Sequence, residues 1–114
     1  MVIGGGQAGL SASYHLHRRG IDHVLLDANR TPGGAWQHRW DSLTMGDVHG
    51  VAALPDSEAP SAGDERANVA VARYFAEYER EHDLPVLRPV RVDQVTSEGD
   101  VLVVGSALRT WSIR

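Results

Sequence analysis

The chain has no cysteine in its 114 residues, which excludes disulfides, thiolate metal sites and a redox-active cysteine pair. Its apolar runs are only a few residues long, far short of the eighteen or more a membrane span needs, and no basic segment precedes an apolar one near the start. No membrane span and a cytoplasmic location are therefore the expectation. A basic stripe is missing too. The net charge of -4 argues against nucleic acid as a partner, because affinity there rests largely on phosphate neutralisation by Lys and Arg. Metal-ligand spacing is also absent: His15 and His17 stand two apart on a predicted helix and point away from each other, while His38, His49 and His82 fall at no ligand spacing. What remains is an ordinary globular composition, 42% hydrophobic and 23% charged, in a length that makes one domain at most.

Against these absences stands one dense motif. Gly4-Gly5-Gly6-Gln7-Ala8-Gly9 is a G-x-G-x-x-G run directly behind the apolar stub Val2-Ile3, and Asp27 follows Gly9 after seventeen intervening residues. Strand, glycines, helix, second strand and terminal acid together form the dinucleotide fingerprint. Gly4 is expected to make the tight turn, Gly6 to let a pyrophosphate approach the backbone, and Gly9 to let the helix lie close on the sheet. The helix N-terminus would hold the phosphates through unpaired N-H groups and the positive end of its dipole. Asp27 would accept hydrogen bonds from the adenosine ribose hydroxyls.

Periodicity places the other elements. Gln7 to Arg19 carries Ala8, Ala12 and Leu16 at four-residue spacing and predicts a first helix, stopped by Gly20. His23-Val24-Leu25-Leu26 reads as a strand buried on both faces. The stretch from Ala28 to about Ala67 has no clear period; its second half, Asp56 to Arg66, has the composition of a mobile surface segment and predicts a flexible loop over 56-67. Val71, Phe75 and Tyr78 mark a second helix from about Val69 to His82, with Asn68 as candidate N-cap and Glu77, Glu79 and Glu81 as a solvated face. Val86 to Pro89 is a third parallel strand, and Arg91-Thr96, Val101-Val104 and Thr110-Ile113 form an antiparallel meander.

A further segment, Pro32-Gly33-Gly34-Ala35-Trp36, pairs backbone able to pass close to a ligand with an indole able to close over a flat ring. A plain turn with Trp36 as a core anchor is the competing account of it. Together with the fingerprint, Asp27 and the run Arg39-Trp40-Asp41-Ser42-Leu43, it makes the chain resemble the two-dinucleotide-binding flavoproteins, most closely the flavin-containing and Baeyer-Villiger-type monooxygenases. The resemblance implies an α/β Rossmann-like FAD/NAD(P)-binding domain: a parallel sheet with helices and an antiparallel β-meander, incomplete at the C-terminus, with residues 1-114 as one partial domain.

It also implies FAD as cofactor, touched by Gly4, Gly6, Gln7, Ala8, Gly9, Asp27, Ala28, Gly33, Gly34, Ala35, Trp36 and Arg39. For Arg39, a pyrophosphate contact and an ion pair with a nearby acid stay equally open. The implied chemistry is reduction of FAD by NADPH or NADH, then reaction with oxygen and oxidation of a small-molecule substrate. The absence of cysteine removes the disulfide-reductase variant of that chemistry. No catalytic acid or base is identified. The family's second fingerprint, for the nicotinamide cofactor, does not occur in the chain, so the expectation is an N-terminal portion whose partner is a C-terminal NAD(P)H-binding part. A non-catalytic NAD or adenine-nucleotide module, or an inactive truncated fragment, is the alternative.

Overall fold

Two short apolar stubs begin the architecture, because β1 (Val2–Ile3) and β2 (Leu25–Leu26) pair in parallel and β2 pairs in turn with β3 (Val86–Leu87), in the order β1-β2-β3. The computed structural model describes all residues, Met1–Arg114. Leu25 and Leu26 are both fully buried, as a central parallel strand covered on two faces requires. Each strand continues the ladder past its formal end: the Gly4 N-H donates to the Leu26 carbonyl at 2.8 Å and the Asp27 N-H to the Leu87 carbonyl at 3.1 Å. Gly4 and Asp27 thus stand side by side at the carboxyl ends of adjacent strands, the end at which open α/β sheets bind ligands.

Helix α1 (Gln7–Arg18) joins β1 to β2 and ends where Gly20 takes φ +68°, a conformation that favours glycine. Its buried stripe is Leu10, Ser13 and Tyr14, not the predicted Ala8, Ala12 and Leu16, and Ala8 and Ala12 are exposed. Both triplets satisfy a helical period; the angle at which the chain leaves Gly6 decides which one meets the sheet. Buried Ser13 is satisfied by His23: the ring Nδ1-H donates to the Ile21 carbonyl at 2.9 Å, which leaves Nε2 to accept from the Ser13 hydroxyl at 2.7 Å.

Helix α2 (Ala67–Glu81) buries Val71, Phe75 and Tyr78 as predicted, with Ala67, Ala70 and Tyr74 beside them. It starts earlier than its apolar period indicates. Arg66 is its N-cap residue without a side-chain cap, and Asn68 serves elsewhere, its Nδ2 donating to the Arg39 carbonyl at 3.1 Å and to Asp41 Oδ1 at 2.8 Å. The core joins this face to Leu10, Tyr14, Leu25, Met45, Leu54 and Leu84.

The aperiodic connection between β2 and α2 contributes Met45 and Leu54 to that core and contains a 3-10 helix, Gly34–His38. It is tied down point by point. The Met45 N-H donates to the Glu65 carbonyl at 2.9 Å, the Leu54 N-H to the Tyr74 hydroxyl at 2.7 Å, and the Tyr78 hydroxyl to the Pro55 carbonyl at 2.8 Å. Burial pushes the Tyr78 phenol well above its ordinary pKa, so it remains a donor.

Strands β4 (Val92–Glu98), β5 (Val101–Ser106) and β6 (Thr110–Ile113) form the predicted antiparallel meander as a separate sheet. In β4 nearly every side chain is exposed, on both faces. No helix is long and apolar enough to cross a membrane. The mixed α/β architecture, parallel sheet plus meander, is the one the sequence predicts.

Candidate functional site: a glycine-lined cradle at the strand ends

The first turn after β1 is shaped by what its glycines lack. Gly4 has φ +101°, a region closed to most side chains. A Cβ on Gly9 would stand 1.7 Å from the Gly4 carbonyl oxygen, so the helix reaches the strand only because that carbon is missing. A Cβ on Gly6 would meet nothing within 4 Å: its place is open space in front of the helix. Gly6 is also the N-cap of α1, where no side chain caps the helix and no acid sits in the first turn. The first-turn N-H groups therefore face that space without a side-chain acceptor from the protein, which is the condition for anion binding at a helix N-terminus.

The second glycine motif closes one wall of the same space. A Cβ on Gly34, which has φ +53°, would lie 2.9 Å from the Gly6 Cα, and one on Gly33 would lie 3.0 Å from the Ala72 Cβ. Gly33 and Gly34 thus let the chain pass between the fingerprint turn and α2. Ala35 is exposed and Trp36 half-buried against the core. Arg39 pairs with no acid; its guanidinium stacks over the Trp36 ring at 5.4 Å from the centroid. The Gln7 Nε2 donates to the Ala52 carbonyl at 3.2 Å. Ala8 is exposed at the helix start, and Ala28 lines a cavity of about 270 Å³ with Gly4, Asp27 and Val90.

Asp27 is buried at the end of its strand. Its side chain is 4% exposed and its Oδ2 accepts from Arg88 Nε at 2.7 Å. The two remaining arms of Arg88 fork onto Glu79, Nη1 to Oε2 at 2.8 Å and Nη2 to Oε1. Glu77 and Glu81 are exposed as expected, but Glu79, expected beside them on a solvated face, is 11% exposed and meets the Arg88 guanidinium just past β3. Burial works against the Arg88 charge, yet the hydrogen bonds to Glu79 and Asp27 outweigh it and its pKa is raised. Gly5 completes the cluster, since a Cβ there would fall 2.8 Å from Asp27 Oδ2 and 3.1 Å from Arg88 Nη2.

Gly5, Glu79 and Arg88 are absent from the residues predicted for the site. One signal for Arg88 exists. The parallel register sets Leu26 opposite Leu87, so Asp27 and Arg88 share the next rung; Asp27 follows the predicted second strand and Arg88 lies within the predicted third, Val86 to Pro89, and an acid and a base on two adjacent predicted strands are that signal. Glu79 has no such signal, because only tertiary packing brings the middle of α2 to that rung.

Residues 2–55 match the NAD(P)-binding Rossmann-like domain family. Over 97% of the chain the structure superposes on the flavin-containing monooxygenase of Stenotrophomonas maltophilia with 46% identity and a TM-score of 0.85, covering 34% of that protein. The fold is that of the two-dinucleotide-binding flavoproteins. An uncharacterized oxidoreductase, CzcO, of Bacillus subtilis is 32% identical over 88 residues, 75% of this chain and 25% of that protein. The bacillithiol disulfide reductase of Staphylococcus aureus, at 22% identity and a TM-score of 0.64, shares this flavoprotein fold. The chain spans between a quarter and about a third of the length of these relatives.

Proposed function

We propose that this domain holds FAD, with the pyrophosphate on the Gly4–Gly9 turn, the adenosine ribose at Asp27 and Ala28, and the flavin end toward Gly33, Gly34, Ala35 and Trp36. The observation that carries the reading is the open space at Gly6, bounded by an uncapped helix N-terminus, by Gly34 and by the strand ends that bear Gly4 and Asp27. Backbone N-H groups there suit a pyrophosphate without a cation, and Gln7 and Ala8 belong to the same first turn. Likeness to a flavin-containing monooxygenase over nearly the whole chain favours FAD over NAD. FAD, when bound, supplies the redox chemistry; the residues of this chain bind it, orient it and keep water from it. Arg39, whose guanidinium stacks on Trp36, would extend that cover.

Residues 1-114 then act as one FAD-binding portion of a flavin-dependent NAD(P)H oxidoreductase, monooxygenase-like. NADPH or NADH would be held outside these residues, in accord with relatives of which the chain spans only 25% to 34%. The match of residues 2–55 to a family described as NAD(P)-binding supports a second reading, a domain that takes NAD at the same turn. Purified protein that is yellow and releases flavin on denaturation supports the first; colourless protein that binds NAD and ignores FAD overturns it. Gly6→Val should abolish FAD binding with the fold intact, and undiminished affinity in that variant would refute the site.

A further inference from the structure

The Asp27–Arg88–Glu79 cluster is more elaborate than a ribose acceptor needs. Three side chains from three places in the fold, each no more than 12% exposed, are joined through all three nitrogens of one guanidinium. An arginine beside a lone carboxylate prefers to grip both oxygens with two parallel N-H bonds. Here Asp27 does not receive that grip. Glu79 takes both terminal nitrogens and leaves Nε alone for Asp27. The consequence is an unequal carboxylate: Oδ2 is engaged by Arg88, whereas Oδ1 has only two long contacts, to the Asn29 N-H at 3.5 Å and Asn29 Nδ2 at 3.4 Å.

We propose that Glu79 and Arg88 are positioning residues for the adenosine ribose, with Glu79 holding Arg88 to a single bond on Asp27 so that Oδ1 stays free to accept the ribose hydroxyls. This rests on the placement of the ribose at Asp27. Arg88 supplies the opposite charge that a buried carboxylate requires, and the rung it shares with Asp27 brings its Nε to Oδ2 at 2.7 Å. Glu79, 52 residues from Asp27 in sequence, determines how much of Asp27 is left for the ligand. Gly5 excludes any side chain that would push the carboxylate off Arg88.

The test titrates the whole chain with ADP-ribose and with its analogue lacking the adenosine 2′ hydroxyl, by calorimetry, in wild type, Asp27→Asn, Glu79→Gln and Arg88→Lys, with the melting temperature of each. Wild type should prefer ADP-ribose by about tenfold, the worth of one hydrogen bond to a charged group. Glu79→Gln frees an arm of Arg88 to compete for Oδ1, and Arg88→Lys replaces the fork by a point charge. Both should bring the preference close to one while affinity for the deoxy analogue is kept. Equal loss for both probes, in step with a lowered melting temperature, marks a purely structural cluster and overturns the proposal. Loss of preference in Asp27→Asn alone overturns it as well but leaves the ribose site standing. If wild type binds neither probe, or Asp27→Asn keeps the preference, the ribose placement itself fails and the proposal with it.

Discussion

Replacing Gly9 and Gly6 by alanine, one at a time, separates the two roles that the fingerprint glycines perform. The added Cβ at position 9 would lie 1.7 Å from the Gly4 oxygen, against a floor near 3.0 Å for real side chains. Helix and strand must therefore part by at least about 1.3 Å, the gap between those two distances. The atom it strikes is backbone and cannot swing away. Moving α1 by that amount lifts fully buried Leu10 and Ser13, and Tyr14 beside them, out of contact, and a gap of about 1 Å forfeits up to half of each contact's attraction. Overpacking of this kind costs about 1 to 3 kcal/mol, occasionally more; with backbone on one side of the clash, about 3 kcal/mol is expected, a drop of roughly 10 to 15 °C in melting temperature for a domain of this size. At Gly6 the Cβ enters open space from extended backbone with φ -89°. Gly6→Ala should stay within about 1 kcal/mol of wild type, the poorer alanine cap being offset by a less flexible unfolded chain. Thermal melts followed by far-ultraviolet circular dichroism, with FAD titration of each variant, decide the matter. Both variants should lose FAD, but only Gly9→Ala should lose stability. A Gly9→Ala protein melting with wild type, or a Gly6→Ala protein as unstable as it, would refute the division of labour.

Two further predictions concern the scaffold around the site. Phe75 is fully buried beside Tyr74, ring centroids 5.9 Å apart, so Phe75→Ala should cost about 3 to 5 kcal/mol in denaturant melts; a loss below about 1 kcal/mol would mean that α2 does not pack as described. The exposed pair Arg73 and Glu65 makes two hydrogen bonds, and the bond from Arg73 holds the Glu65 carboxyl below its ordinary value of 4.5. A depressed folded-state pKa means that the pair's contribution is present above the ordinary value and is lost as pH falls through the folded one. The stability gap between wild type and Arg73→Ala should therefore narrow in acid and in high salt. A gap that widens below about pH 4 contradicts the assignment.

Local chemistry makes the frame legible from sequence. Short apolar runs, glycines between strand and helix, and Val71, Phe75 and Tyr78 at helical spacing each carry their meaning within a few residues. The parallel sheet and the meander follow from them. Elements whose meaning lies elsewhere in the chain are less legible. Asn68 fits a cap because caps are recognised by neighbours in sequence, yet its partners are Arg39 and Asp41. The buried face of α1 is ambiguous because two stripes fit one period and only the sheet distinguishes them.

The amino-acid sequence alone therefore determined that a helix N-terminus, two strand ends and an acid meet at one turn, since G-x-G-x-x-G leaves the backbone few alternatives there. Tertiary structure alone decided how Asp27 is held. Its charge is buried, a buried charge requires a partner, and the partner is supplied by the neighbouring rung of the sheet and steadied by a helix residue 52 positions away. The contact from Glu79 has no period and no local spacing, so it becomes visible only when α2 and β3 are packed in place.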